Sequence, residues 1–174
     1  FQSSGYFRPE QLLLVAAGGL ALLGARQGNA AETTRYERAD TGWLAKCRVG
    51  IGVHWTALTV PRTGAPLPFQ KAVEAFDVQR FVDSLAYAGA DYLLFTSAHA
   101  LQMLPAPHPV IDRILPGRTC QRDLIAELAE ALAAKGMPLL VYYNHSCNSQ
   151  NDPPWEQAVG YHDRDKQKFA DNLL

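Results

Sequence analysis

Three short apolar runs recur within residues 43–174, and helix-like patterns fill the intervals between them. The runs are CRVGIGVHW (47–55), DYLLFTSAH (91–99) and PLLVYYNH (138–145). Each is short and rich in β-branched or aromatic residues, which predicts a buried strand rather than a helix. Every run reaches a histidine at or near its end.

The intervals between the predicted strands show helical periodicity, with an apolar face and a capping residue at each end. The first predicted helix begins at an Asp77 cap and stops at Gly89. The second begins at Thr119 or Asp123 and stops at Gly136. Small polar residues at the start and glycine at the stop are the usual boundary signals of a helix.

A third helix is predicted to open near Asp163, so strands and helices alternate along the chain. This order predicts an α/β fold built from parallel βαβ units with right-handed crossovers. In such folds the loops after the strands gather at one end, where ligands bind in both barrels and open sheets. His54, His99 and His145, at the strand ends, all lie at that end, and the long connections that follow them there are rich in polar residues and proline.

Aromatic and amide side chains accompany these histidines, a combination typical of a carbohydrate site. Sugar rings stack on aromatic planes, and sugar hydroxyls exchange hydrogen bonds with imidazole, amide and phenol groups. Core packing remains the alternative for each aromatic side chain, and strand alternation sends Tyr142 and Tyr143 to opposite faces. The candidate substrate-binding residues are His54, Trp55, His99, Tyr142, Tyr143 and Asn144, with Trp155 and Tyr161 as further aromatic neighbours.

A metal-dependent hydrolase is a second hypothesis, because His54, His99 and His145 could hold zinc or manganese at converging strand ends. No His-x-His pair or carboxylate partner accompanies them, and the primary prediction includes no metal or cofactor. The carboxylates of the same loops have no spacing that singles out a catalytic pair. They are interpreted as loop charges and helix caps: Asp112, Asp152, Glu156 and Asp163.

Composition narrows the class of protein further. The chain has 174 residues and a formal net charge of −1, with acidic and basic residues mixed along it. This length supports one domain with a sizeable core, and the charge balance argues against a nucleic-acid surface or a polybasic membrane patch. The three cysteines lack zinc-site spacing; a bridge between Cys120 and Cys147 is considered, with unpaired thiols as the alternative.

Residues 1–30 have the character of a processing segment. FQSSG resembles the remnant of a cleavable tag, and Arg8 precedes the apolar stretch LLLVAAGGLALLGA, which is too short and glycine-rich for a membrane span. GNA at residues 28–30 suits signal-peptidase cleavage, which predicts a secreted or periplasmic protein. The alternative is a helix of the domain over residues 9–25.

The strand ends also carry a family resemblance. VGIGVHW resembles the first barrel strand of the α-L-fucosidases of glycoside hydrolase family 29, which runs Phe-Gly-Ile-Phe-Ile-His-Trp-Gly. AGADYLLFTSAH is similar to the family's Ala-Gly-Ala-Lys-Tyr followed by Thr-Lys-His-His-Asp-Gly-Phe. RDLIAELAEALAAKGMPLLVYYN resembles its Arg-Asp-Leu helix and the Tyr-Tyr-Ser strand that follows. These matches lie in the family's order over residues 43–174.

The resemblance implies a (β/α) TIM barrel of which residues 31–174 supply the N-terminal part, with the first three βα units. It makes His54 and His99 ligands of sugar hydroxyls, Trp55 a wall of the site, and Tyr142 or Tyr143 a neighbour of the catalytic carboxylate. The chain departs from the family pattern at several positions. Ala98, Ala100 and Thr56 replace the family's His, Asp and Gly, and its Glu-Trp-Tyr signature is missing after the first strand.

The resemblance also implies retaining hydrolysis, with an Asp nucleophile on the fourth strand and a later acid/base carboxylate. Neither position lies within these residues, and a closed barrel needs about 250 residues. We therefore expect a longer protein with a C-terminal half, or a partner or further copy that completes the sheet. A barrel that binds carbohydrate without hydrolysing it is the alternative.

Overall fold

A sheet of four strands organises the molecule. The computed structural model describes residues 5–7, 40–145, 147 and 152–173. The strands are β1 (Gly5–Phe7), β2 (Gly50–Val53), β3 (Tyr92–Ala98) and β4 (Leu139–Tyr143). Their order across the sheet is β1-β4-β3-β2. The three strands predicted from the apolar runs are therefore confirmed, and they lie side by side.

Strands β2, β3 and β4 are parallel, as the strand–helix alternation predicts. Ile51 pairs with Leu93, and Leu93 also pairs with Leu139. The register of β3 against β4 shifts between Thr96 and Ala98, which marks a bulge near the carboxyl end of β3. The sequence did not predict β1, which pairs antiparallel with β4. The described residues thus form a mixed α/β structure with a three-stranded parallel sheet, and the eight-stranded barrel stays a prediction.

Two longer helices connect these strands, and both begin at a predicted cap. Helix α2 follows Asp77, whose carboxylate accepts a hydrogen bond from the Arg80 N–H at 2.9 Å. Helix α4 follows Asp123, whose carboxylate accepts from the Ala126 N–H at 2.9 Å. Of the two predicted starts of α4, Asp123 is correct and Thr119 is wrong. The helices are α1 (Phe69–Glu74), α2 (Val78–Tyr87), α3 (Pro109–Ile114), α4 (Leu124–Ala133), α5 (Pro153–Val159) and α6 (Gln167–Leu173).

The main core lies between one face of the sheet and helices α2 and α4. Leu93 and Phe95 of β3 are fully buried there, against Val82 of α2 and Leu128 of α4. Because side chains alternate along a strand, Leu94 and Thr96 lie on the opposite face. Among the residues that the structure describes, the helices therefore cover one face, and the other face can form the wall of a site.

Arg122 joins α1 to α4 at the edge of this core. Its Nη1 donates to the carbonyl oxygens of Val73, Glu74 and Phe76 at 2.7, 3.0 and 3.0 Å. Its Nε and Nη2 donate to the two carboxylate oxygens of Glu127 at 2.8 and 2.6 Å. A guanidinium satisfies several carbonyls at a helix end because its five donors form a planar fork. Arg122 thus fixes the C-terminal end of α1 against the start of α4.

A second, smaller apolar cluster lies beyond the carboxyl ends of β3 and β4. It contains residues from the end of β3, from the long connections and from α3 and α5: Ala98, Leu104, Ala106, Ile111, Cys147, Trp155 and Val159. The sequence predicts connections rather than helices at α1, α3 and α5. The third predicted helix exists as α6 but begins at Gln167 rather than near Asp163.

The possible bridge between Cys120 and Cys147 is not formed, and both thiols are free. Cys120 packs in the main core and Cys147 in the second cluster. Burial raises the pKa of each thiol to about 11, with nearby carboxylates adding to the effect. A thiol with so high a pKa is a poor nucleophile at neutral pH, so both behave as apolar packing groups.

None of the helices in the described ranges is long and apolar enough to cross a membrane. The predicted leader or N-terminal helix falls mainly on residues 8–30, which lie outside the described part of the chain. The predicted cleavage site at residues 28–30 lies there too.

Candidate active site

The face of the parallel sheet that no described helix covers forms an open concavity of about 390 Å³ near its carboxyl edge. Strand alternation brings residues of three strands to this face. Gly52 contributes no side chain, which leaves room beside its neighbours. The lining residues are Gly52, Val53, His54, Leu94, Thr96 and Tyr142.

His54 and His99 meet at the edge of this concavity, as the recurrence of strand-end histidines predicts. Their ring centroids are 4.5 Å apart and the rings meet edge to face at 74°. Nδ1 of His54 lies 3.4 Å from Oγ1 of the buried Thr96. The ends of the neighbouring strands β2 and β3 therefore bring the two imidazoles into contact. The Thr96 hydroxyl lies within hydrogen-bonding distance of His54.

The pKa of His99 is lowered, first by burial and then by repulsion from His54. Its Nδ1 is buried and has no hydrogen-bond partner among the residues that the structure describes. Protonating that nitrogen would bury an N–H without an acceptor there, which costs free energy. The neutral imidazole is favoured, with its proton on Nε2, so that Nε2 can donate to a ligand oxygen.

Tyr142 and Asn144 extend the site from the third parallel strand. The Tyr142 ring lies 6.1 Å from the His99 ring, centroid to centroid, and Asn144 Nδ2 donates to the Tyr142 hydroxyl at 3.4 Å. The bulge of β3 holds this strand end: Ser97 Oγ donates to the Tyr142 carbonyl at 3.1 Å, and the Asn144 N–H donates to the Ala98 carbonyl at 3.1 Å. The structure thus brings together His54, His99, Tyr142 and Asn144.

The structure does not bring Trp55 into this group. The indole packs on the helix side of the sheet, against Phe69, Phe76 and Phe95, with ring centroids 5.7, 5.2 and 6.3 Å away. Because Trp55 directly follows His54 in an extended segment, the two side chains point to opposite faces. Trp55 is therefore part of an aromatic cluster in the core, and its predicted role as a wall of the site gains no support from this packing.

Tyr143 also faces away from the concavity, which answers the question that strand alternation left open for the Tyr142–Tyr143 pair. Its hydroxyl accepts a 2.7 Å hydrogen bond from Nε2 of the fully buried Gln102. Desolvation raises the pKa of Tyr143, so the phenol stays neutral. Trp155 is buried in the second apolar cluster, and the Tyr161 ring packs against Phe169.

His145 is turned toward its own loop. Its Nδ1 accepts from the Cys147 N–H at 3.1 Å, its carbonyl accepts from Trp155 Nε1 at 2.8 Å, and its ring meets Phe169. Within the described residues, no three His, Cys, Asp or Glu side chains are grouped to hold a metal ion. The hypothesis of a metal site formed by His54, His99 and His145 is therefore wrong for this arrangement.

A buried polar network behind the concavity was missed from the sequence. Asp152, which caps α5, is 1% exposed rather than a solvated loop charge. It pairs with both terminal nitrogens of Arg118, at 2.7 and 2.8 Å, and accepts from the Gln102 N–H at 2.7 Å. The Asp-Pro-Pro sequence that opens α5 is a helix-start signal, but nothing in the pattern indicates the distant Arg118.

Comparison with known proteins identifies the family. The family model described as Alpha-L-fucosidase matches residues 65–174. The matched range includes strands β3 and β4 and the helices from α1 onward, and it begins after His54. Neither the comparison with curated proteins nor that with solved structures found a match.

Proposed function

Because the chain belongs to the alpha-L-fucosidase family, we propose that the full-length protein is a glycoside hydrolase that cleaves α-L-fucosides or closely related glycosides. The grouping of His54 and Tyr142 in one concavity, with the His99 ring against His54 at its edge, carries this proposal. These side chains offer donors and acceptors at the carboxyl edge of a parallel sheet, where α/β enzymes bind ligands.

Sugar binding would use the groups on the concave face. The neutral His99 donates from Nε2 to a hydroxyl oxygen, and His54 does so beside it. The Tyr142 hydroxyl and the Asn144 amide complete a polar arc that can both donate and accept. Ala98 is buried, and neither Ala98 nor Ala100 has a polar side chain. At this strand end His99 therefore contacts the sugar, and the end makes fewer polar contacts than the His and Asp of the family pattern would.

Hydrolysis would proceed with retention of configuration, with both carboxylates supplied by residues after Leu174 in a completed (β/α)8 barrel. An Asp on the next strand attacks the anomeric carbon while a carboxylic acid protonates the leaving oxygen. The resulting carboxylate then takes a proton from the water that cleaves the glycosyl ester. Such carboxyl pairs stand about 5–5.5 Å apart.

The test is kinetic and uses the full-length protein on a panel of 4-nitrophenyl glycosides that includes the α-L-fucoside. His99→Ala should lower kcat/KM about 10- to 100-fold through the lost sugar contact. The matched control is His108→Asn, because His108 is exposed, caps α3 through Ile111 N–H, and asparagine caps helices well. Equal activity of wild type and His99→Ala would show that the site assignment is wrong.

Two further readouts separate the finer parts of the proposal. Proton NMR of the first-formed sugar anomer should show retention, and inversion would contradict the covalent route. Tight binding of free sugar without turnover by the full-length wild type would favour the non-catalytic alternative.

Export to the periplasm or the exterior is a further part of the proposal, supported by Arg8 and the apolar stretch after it. N-terminal sequencing of protein produced with its native N-terminus should begin at Ala31. Recovery of an uncleaved cytoplasmic chain would contradict export.

A further inference from the structure

Gln102 occupies a fully buried position just behind the candidate site. It lies three residues after His99, and the chain between them is folded into tight turns: the Leu101 N–H donates to the His99 carbonyl at 2.8 Å, and the Met103 N–H donates to the Leu101 carbonyl at 2.9 Å. Ala100 within this segment has a left-handed φ of 63°. So short and constrained a link transmits a displacement of Gln102 to His99.

The backbone of Gln102 is anchored by the buried Asp152–Arg118 pair. The Gln102 N–H donates to the Asp152 carboxylate. The Leu104 N–H donates to the carbonyl oxygen of Arg118 at 2.8 Å. A buried ion pair adds little net stability because desolvation offsets the Coulomb attraction. Its main effect is on geometry, because the bidentate pairing holds the loop after β3 against the start of α5 in one position.

The side chain of Gln102 reaches the other half of the site. Its Nε2 donates to the Tyr143 hydroxyl, and Tyr143 is the neighbour of Tyr142 on β4. Gln102 thus belongs to the loop that carries His99, and it is hydrogen-bonded to the strand that carries Tyr142. Oε1 of Gln102 is buried and has no partner within the described ranges, so the Tyr143 bond is the one described contact of this amide.

We infer that Gln102 is a positioning residue, which fixes the separation of His99 and Tyr142 through its bonds to Asp152 and Tyr143. For the identity of the ligand, this inference rests on the proposed function. A side chain that holds two ligand-binding groups in register affects binding without touching the ligand.

The variant Gln102→Met in the full-length protein tests this role. Methionine has a similar length and volume, and the backbone N–H to Asp152 is kept, so the change removes chiefly the bond to Tyr143. Tyr143→Phe removes the same bond from the other side and serves if the methionine variant does not fold. The matched control is Gln79→Met on α2, where the exposed Gln79 amide donates only to Asp83 at 3.0 Å among the contacts described.

Two readouts are needed, one of them independent of activity. With 4-nitrophenyl α-L-fucoside, Gln102→Met should raise KM about fivefold, the effect of one lost hydrogen bond on binding, and change kcat less. In carbon–proton NMR of histidine-labelled protein, the His99 imidazole signals should shift and its titration midpoint should move. The His108 signals should stay in place, and Gln79→Met should leave both readouts unchanged.

A pure packing role predicts a different result: a lower unfolding temperature with unchanged KM and unchanged His99 signals, which would overturn the inference. The double variant Gln102→Met/Tyr143→Phe should shift the His99 signals no further than either single variant; full additivity would also overturn it. If the wild type cleaves no glycoside while the His99 signals respond as expected, the proposed function fails and the positioning role stands.

Discussion

Trp55 provides the sharpest test of whether one face of the sheet serves core packing and the opposite face serves ligand binding. Sequence resemblance makes it a wall of the sugar site, whereas the structure packs its indole against Phe69, Phe76 and Phe95. Aromatic pairs contribute about 0.5–1.5 kcal/mol each beyond area burial. Truncating a fully buried Trp to Ala costs about 3–5 kcal/mol. Because Trp55 is only half-buried, we expect Trp55→Ala to lower the free energy of unfolding by about 2–4 kcal/mol.

The assay is equilibrium urea unfolding of the full-length protein, followed by KM on the glycoside that the wild type cleaves. Tyr87→Ala on α2 is the control, because this side chain is 96% exposed and its loss should cost less than about 0.5 kcal/mol. Trp55→Phe should recover part of the stability, with KM close to wild type. The packing argument would be refuted if Trp55→Ala unfolds at the wild-type urea concentration while KM rises tenfold or more, about 1.4 kcal/mol.

The structure predicts the unfolding free energy expected in three further experiments. Arg122→Met should lower the free energy of unfolding by about 2 kcal/mol through the lost charged hydrogen bonds, whereas breaking the exposed Lys135–Asp83 pair with Lys135→Met should cost less than about 0.5 kcal/mol in the same urea titration. Ala100→Gly should stabilise by about 0.5–1 kcal/mol in urea because its φ is left-handed; a loss of stability would mean that the methyl contacts outweigh the strain. Since the pKa of His99 lies below 6.5 in the folded state, the unfolded state binds more protons between that lowered pKa and 6.5. Stability should therefore fall as pH drops through this window, and His99→Asn should flatten the slope of unfolding free energy against pH; an unchanged slope would contradict the lowered pKa.

Much of the helix layer that packs against the sheet could be predicted from the sequence, because the residues that begin and end a helix are local features of the sequence. Asp77 and Asp123 cap the two long helices as expected, and Gly89 and Gly136 follow those helices in the left-handed conformation that the stop signal implies. The short helices α1, α3 and α5 were missed because six or seven residues give too little periodicity to stand out in a connection.

The candidate site was predictable only in part. The strand ends indicated His54, His99 and Tyr142. A sequence does not say which face of a strand the helices will cover. Because side chains alternate along a strand, Trp55 and Tyr143, each next in sequence to a site residue, lie on the covered side. The polar network around Gln102 joins residues up to 50 positions apart, and that proximity follows from how the loops fold over the sheet. No spacing rule anticipates it.

The separation of the apolar residues into two clusters has a consequence for how this fold can change. The main core lies beneath the sheet, while the smaller cluster lies under the loops at its carboxyl edge, and the half-buried Ile125 packs against both. Regions with their own packing can open and close locally without unfolding the rest. The loop layer behind His99 can thus accept insertions and exchanged side chains while the strand layer keeps its register, so the shape of this edge can change without a matching change in the main core.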